Sequence, residues 1–412
     1  MLNLPNTMLT ERTVKRKYRF HVLGFVHLPC SLKYYACAFT QKMHKFCEMM
    51  MSLGHEVYFY GAEGSTVPCT EHIVTHSIKD IRDAWGDKDV DPKKFELGYN
   101  WQKEVSYRYE PDTDKRKKLV AQLMVHQIAG VQSRAKRDDF LILSMGDFHK
   151  EVKDVLEMLL TVETGVAYRG TTARFRAFES DYMRNFVGGL QGVGKDTPDG
   201  KFYDRTIPNY FRESEFPIEA VKINKADRVD KDGKPFILYV GRFIPRKGIN
   251  IVAKLATAYR SKYKLYMAGQ GKIDTKSKNV ELLGTLNPEQ RSWWMSRATA
   301  VLVPTLYLEP FGGVGVEAML SGTPILTTNF GVFPEYNVNG VTGFRCDLFR
   351  DFTKALSMVD NLDRMAIRKH AERYLMGNIK WEYQKWFDDL YDLYLGVISG
   401  DRKIQKNIWF AK

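Results

Sequence analysis

The stretch Phe236-Ile-Leu-Tyr-Val-Gly-Arg-Phe-Ile-Pro-Arg-Lys-Gly248 decides the fold. Five apolar residues without alternation read as a strand buried on both faces, the habit of a parallel sheet. Gly241 ends the run, and Arg242, Arg246 and Lys247 crowd the turn that leads into a helix. Cations gathered where a strand stops and a helix starts make a candidate phosphate site. The pattern recurs downstream. Lys264-Leu-Tyr-Met-Ala268 opens into Gly269-Gln-Gly271, Ala300-Val-Leu-Val303 into Pro304, and Pro324-Ile-Leu-Thr327 is followed by Gly331. Strands alternating with helices, with glycines at the strand C-termini, indicate an α/β protein with a doubly wound parallel sheet. Its ligand belongs at those strand ends.

A second stretch, Glu309-Pro-Phe-Gly-Gly-Val-Gly-Val-Glu317, reads as a loop turning into a helix. Pro310 holds Glu309 extended, Gly312 and Gly313 allow a tight turn, and Val314 to Leu320 has helical apolar spacing. Bare glycine amides before a helix N-terminus attract an anion. Glu309 and Glu317 then stand at the two ends of that site, where each carboxylate can hold sugar hydroxyls flanking a bound diphosphate.

Tyr239-Val-Gly-Arg242, Lys247-Gly248, Gly269-Gln-Gly271, Glu309-x7-Glu317 and Gly322-Thr-Pro324 occur in this order. Together they resemble the nucleotide-sugar half of a GT-B glycosyltransferase of the retaining, family-4-like group 1 type, closely over residues 235–350 and loosely elsewhere. The resemblance implies two Rossmann-like doubly wound domains with a cleft between them. An acceptor domain would span 1–216, a linker 217–234, a donor domain 235–378, and a final helix within 379–412 would cross back to the first domain. It also implies that Arg242 and Lys247 contact the donor diphosphate, Glu317 the ribose and Glu309 the sugar. Backbone near Leu286 would pair with the base, and Gly241, Gly269, Phe311, Gly312 and Gly313 would shape the donor pocket. Gly24 and Asn209 would reach the donor from the other domain.

Family members carry a histidine after the strand aligned with Leu159 to Val162, where this chain has Glu163. The expected catalytic set is therefore Glu163, Arg242, Lys247 and Glu309, with Glu163 stabilising a cationic sugar or taking the acceptor proton. His27, Asp147, His149, Arg169 and Arg174 are the expected acceptor wall, with Glu179 beside them. The implied reaction is retaining transfer from a nucleoside-diphosphate sugar, UDP-linked in most similar enzymes. Arg242, Lys247 and the amides after Glu309 would stabilise the departing diphosphate without a metal ion. Asp87-Lys-Asp89 and Asp112-Thr-Asp114 look like a metal-binding pair but sit in charged, loop-like sequence and read as solvated charge.

At 412 residues the chain exceeds the usual single-core size, so two domains are expected. No apolar run approaches the roughly 18–20 residues that span a bilayer, and Met1 to Arg19 lacks the apolar core of a secretory signal. Five cysteines without CxxC spacing indicate neither disulfides nor zinc, so a reducing cytoplasm is the expected home.

The net charge of +13 calls for an anionic partner. Lys15-Arg-Lys17, Lys115-Arg-Lys-Lys118 and Arg134-Ala-Lys-Arg137 all fall in the N-terminal half, near Tyr99, Trp101, Tyr107 and Tyr109, as stacking on nucleic acid requires. His27-Leu-Pro-Cys-Ser31, Cys37-Ala-Phe-Thr-Gln41 and Tyr60-Gly-Ala-Glu-Gly-Ser65 resemble glycosyltransferase-like proteins of phages and large DNA viruses. The favoured acceptor is accordingly a hydroxymethylated pyrimidine in DNA. The alternatives are a cytoplasmic-face enzyme acting on a lipid-linked or polysaccharide acceptor beside anionic lipid, and a non-catalytic nucleotide-sugar-binding protein. The helix from Phe39 to Leu53, with Met43, Phe46, Met49 and Met50, is the candidate membrane-facing element.

Overall fold

The computed structural model describes residues 12–86, 113–194, 196–197, 200–201, 203–273 and 277–399. The first half runs β1 (Arg19–Leu23), α1 (Ala38–Ser52), β2 (Glu56–Ala62), β3 (Glu71–His76), α2 (Ile78–Trp85), α3 (Asp114–Gln132), β4 (Phe140–Leu143), α4 (Lys150–Val155), β5 (Leu160–Val166), β6 (Phe175–Phe178), α5 (Asp181–Gln191) and β7 (Arg205–Thr206). Its strands form one parallel sheet in the order β3-β2-β1-β4-β5-β6-β7.

The second half runs α6 (Ile218–Val221), β8 (Phe236–Val240), α7 (Ile249–Ala258), β9 (Lys264–Ala268), β10 (Val280–Gly284), α8 (Pro288–Arg297), β11 (Ala300–Val303), α9 (Gly313–Leu320), β12 (Ile325–Thr328), α10 (Phe333–Tyr336), β13 (Gly343–Cys346), α11 (Phe349–Met358), α12 (Arg364–Ala371) and α13 (Met376–Ser399). These strands are also parallel, in the order β10-β9-β8-β11-β12-β13. The chain is therefore two doubly wound sheets. In each, the strand order reverses beside the first strand, between β1 and β4 and between β8 and β11, which is where such sheets open a crevice for ligands.

The central strands are buried on both faces, as their continuous apolar runs require: Phe236 to Tyr239 and Phe140 to Leu143 are at most 2% exposed. The segment 217–234 is not a free linker. Phe211 and Phe216 lie in the core of the second domain, Val221 is buried, and Asp230 accepts from the Tyr266 hydroxyl at 2.9 Å. Most of its other charged residues, Glu219, Lys222, Lys225, Asp227, Lys231, Asp232 and Lys234, remain exposed to solvent.

Helix α13 returns to the first domain. Ile379, Tyr383, Trp386, Phe387 and Leu390 share one core with Phe20, Phe46 and Phe140. Polar contacts frame it: the Tyr18 hydroxyl donates to Asp388 at 2.5 Å, and His55 Nε2 meets Gln384 Oε1 at 2.7 Å. Met43, Phe46, Met49, Met50 and Leu53 of α1 belong to that same core, so this apolar stripe faces protein and is not offered to a bilayer. Among the described residues no helix is long and apolar enough to cross a membrane.

Six of the described histidines are interior: His21, His27, His44, His55, His76 and His149. Burial pushes His55, His76 and His149 down from the ordinary 6.5 to about 4. Each stays neutral in the fold but charges in the unfolded chain below 6.5, so the unfolded state binds more protons between the two values. Stability is thus fully present above pH 6.5 and is lost as pH falls toward 4. Thermal melts across that window should show a continuous decline in Tm.

Candidate active site

The loops at the ends of β8 and β9 are fixed by bare backbone. The Gly241 amide donates to Ala268 O at 2.9 Å, and a Cβ on Gly269, whose φ is 148°, would stand 1.9 Å from Gly241 O. The ends of β8 and β9 can touch because Gly269 lacks a side chain. Pro245 then starts a short turn that Gly248 closes at φ 75°; a Cβ there would lie 2.0 Å from Pro304 O. This turn aims Lys247 at the next strand end, where its Nζ meets Glu309 Oε2 at 2.5 Å. Beyond Pro310, Gly312 adopts φ 70° and caps α9, with its carbonyl accepting from the Tyr336 hydroxyl at 3.0 Å.

These loops wall one side of a cleft of about 710 Å³ between the domains, a volume suited to a nucleotide-sized ligand. Gly241, Arg242, Gly269, Leu286, Glu309, Phe311, Gly312, Gly313 and Glu317 all line it, and Asn209 reaches it from the connection between the domains. Glu317 bonds Arg291 at 3.0 Å and its side chain is 13% exposed. Burial pushes its carboxyl above the ordinary range, with Arg291 and Lys45 opposing. Lys247 stands behind the lining. It anchors Glu309 and lies 4.9 Å from the Tyr307 ring, while burial and then Glu309 raise the Tyr307 hydroxyl.

The opposite wall is α1. Its first turns present Gln41, Lys42 and Lys45 to the cleft. Lys42 pairs with Glu179 and donates to Gly165 O at 3.0 Å; Lys45 pairs with Glu215 at 3.1 Å. Burial raises the Glu179 carboxyl, offset by Lys42. Lys42, Lys45, Arg291 and Tyr307 are cleft residues that sequence reading missed. The two lysines carry a signal in hindsight, being the charged positions among Met43, Phe46 and Met49 on the inward side of α1. Arg291 and Tyr307 carry none.

Over nearly its whole length the chain superposes on solved glycosyltransferases. One from Rickettsia africae gives a TM-score of 0.58 at 11% identity, covering 91% of this chain and 99% of that one. Another, involved in avilamycin A biosynthesis, gives 0.57 at 17%, covering 91% and 98%. The fold is GT-B. Residues 221–357 match the family model of the group 1 glycosyl transferases. The glycogen synthase of Mycobacterium tuberculosis is 29% identical over 207 residues, 46% of this chain and 50% of the relative. The chain spans about half the length of the curated relatives it matches.

Several expected residues lie elsewhere in this GT-B frame. Strand β5 runs on to Val166, so Glu163 is mid-strand, fully buried and turned away from the cleft. Its carboxylate accepts from the Tyr168 hydroxyl at 2.8 Å and from the Thr172 and Ala173 amides at 3.0 and 3.1 Å. It ties down the following loop, and Ala167 faces the cleft instead. The substitution Glu163→Gln should therefore lower stability by about 1–3 kcal/mol while leaving the KM for donor unchanged. A large loss of kcat in fully folded protein would return Glu163 to the reaction.

Gly24 is a packing glycine: a Cβ would meet Tyr60 O at 2.8 Å, and its carbonyl accepts from His149 Nε2 and Gln127 Nε2. His149 is committed to that contact and fully buried. His27 is equally buried, with Nε2 3.6 Å from Cys37 Sγ. Arg174 precedes β6, at the end of the sheet away from the cleft, and lies over Tyr203 at 5.0 Å. Asp147 is exposed but bonds through its amide to Gly170 O at 2.8 Å, outside the cleft lining. Of the acceptor candidates, Arg169 borders a cavity, one that adjoins the cleft.

The basic groups do not converge. Lys15–Lys17 and Arg134–Arg137 precede β1 and β4, at the N-terminal end of the strands, away from the cleft, where Arg16 pairs with Asp392 and Arg134 with Glu71 at 2.6 Å. Lys115–Lys118 open α3, which runs antiparallel to the strands, since Gln127 reaches Gly24 O beyond the end of β1 and Arg134 reaches Glu71 at the start of β3; the helix therefore starts at the C-terminal end of the strands. Tyr99, Trp101, Tyr107, Tyr109, Asp87, Asp89 and Asp112 lie outside the described residues. Asp114 opens α3 beside its Thr113 cap.

Proposed function

We propose that the protein is a glycosyltransferase that moves a sugar from a nucleoside-diphosphate sugar to a carbohydrate hydroxyl. The observation that carries this reading is the convergence, on one interdomain cleft, of Arg242, the N-terminus of α9 and the two carboxylates Glu309 and Glu317. In this reading Arg242 and the α9 amides take the diphosphate, and the charge it gains on leaving is stabilised by groups already in place. Glu317, held by Arg291, accepts from the ribose hydroxyls. Glu309, held by Lys247, sits by the sugar, and the base lies against Leu286. Lys42 and Glu179 face the transferring centre from the other domain and orient the acceptor. We take the donor as UDP-linked and the outcome as retention, with no metal required.

A second acceptor, a hydroxymethylated base in phage DNA, is supported by Lys115–Lys118 at the cleft end of the sheet. The division of the other basic groups to the far end of the strands favours the carbohydrate. The test is a matrix of UDP- and GDP-sugars against neutral and acidic oligosaccharides and hydroxymethylated DNA. Product anomers are read by NMR, with and without EDTA. Expected is transfer to an oligosaccharide with retained configuration, undiminished by EDTA. Absence of both transfer and nucleoside-diphosphate binding across the matrix would sink the reading.

A further inference from the structure

A second cavity of about 510 Å³ opens beside the cleft. Both cavities are bounded by Ala167, Arg246, Tyr307 and Pro310, so a ligand in the second is separated from Glu309 only by its neighbours in the loop. Its far side comes from the first domain: Arg169 from the loop after β5, and Tyr182 and Phe186 from α5. The Tyr182 and Phe186 rings stack at 6.0 Å and 27°. Two guanidinium groups lie on aromatic faces, Arg169 on Phe186 at 5.6 Å and Arg246 on Tyr307 at 4.8 Å. At the mouth Leu306, Leu308 and Phe330 are 52%, 50% and 37% exposed.

We infer that this annex is the acceptor subsite and that it takes a sugar bearing an anionic group, a carboxylate or a phosphate. The inference rests on the glycosyl-transfer reading and names the substrate class of that site. Aromatic rings give the apolar face of a pyranose a surface to lie on. A guanidinium stacked on a ring keeps its edge N–H groups directed outward, and these match the geometry of carboxylate or phosphate oxygens. Arginines from the two domains face one space, so an anion between them bridges the domains. The shared wall at Ala167 and Tyr307 then lets the next sugar hydroxyl reach the centre beside Glu309. A neutral acceptor would draw no attraction from either positive charge.

The test uses the whole chain and three probes: trigalacturonate, mannose 1-phosphate and neutral maltotriose. Binding is followed by calorimetry in wild type, Arg169→Gln and Arg246→Gln, with UDP and GDP titrated in parallel. At least one acidic probe should bind about tenfold or more tightly than maltotriose, and each substitution should remove about tenfold of that affinity, as expected for loss of a charge-assisted hydrogen bond. Which acidic probe binds distinguishes carboxylate from phosphate. Equal binding of neutral and acidic probes, no binding of either acidic probe, or unchanged affinity in both variants overturns the inference. So does a loss confined to UDP affinity, which would move the arginines to the donor side. Failure of both UDP and GDP to bind wild type strikes the glycosyl-transfer reading itself, whereas nucleoside-diphosphate binding with unselective probes strikes only the annex.

Discussion

Replacing Arg242 with alanine should lower sugar transfer by about 10²–10³ in kcat, the scale of losing one preorganised group at a developing charge. Arg242 stands at the end of β8 and lines the cleft beside Glu309. If, as proposed, Arg242 meets the departing diphosphate, the charge it faces grows in the transition state, and kcat should fall more than KM for donor rises. Lys247→Ala should produce a comparable loss by a different route. Its Nζ holds Glu309 at 2.5 Å, and the two side chains are only 21% and 11% exposed. Removing one partner of a buried pair leaves the other charge uncompensated. The double variant Lys247→Ala/Glu309→Gln should therefore lose less than the sum of the single losses, whereas Arg242→Ala and Glu309→Gln should combine closer to additively. Steady-state kinetics on the single and double variants and the wild type decides it. Additivity in the Lys247 cycle would mean that the lysine acts on the donor directly.

The largest stability effect is expected at Phe387 of α13. Its ring is fully buried, 4.7 Å from Phe20 and 5.1 Å from Phe140. Phe387→Ala should cost about 3–5 kcal/mol, transfer and cavity terms together. The loss has a functional side. Helix α13 follows directly on the second domain, and Leu375 before it pairs with Phe211, so this helix joins the core of one domain to the edge of the other. Loosening it should disturb the spacing of the cleft walls before either sheet unfolds. Chemical denaturation should show the lost stability, and donor KM at temperatures below the transition should rise. A change confined to the melting curve, with unaltered KM, would show that α13 does not set the cleft.

What was legible in the sequence was what local chemistry dictates. Phe236–Val240 and Phe140–Leu143 read as buried strands because a strand covered on both faces must be apolar throughout. The loops after β8, β9 and β11 were legible as one cleft wall because their constraints lie within a few residues. Gly248, Gly269 and Gly312 are places where a side chain would collide or a positive φ is needed, and nearby charged groups are carried along with them. The opposite wall had no such local signature. Glu163 looked like a strand-end carboxylate because β5 was expected to stop at Val162. It continues to Val166, and that extension places the carboxylate among the Tyr168 hydroxyl and two amides. His27 and His149 sit beside strand ends in sequence but inside the domain in space, since the loops fold back over them.

By itself, then, the sequence determined the two doubly wound sheets and the cleft wall built from the second domain, where residues within one turn act together. Only the tertiary structure decided which groups face those residues. Lys42 and Lys45 reach the cleft because α1 packs its methionines into the first domain and its first turns toward the second. Arg291 and Arg169 come near the ligand space through contacts between segments far apart in the chain. The cleft wall from the first domain depends on how two domains are set against each other, and that rests on α13 and the joint near Phe211, not on any short run of residues.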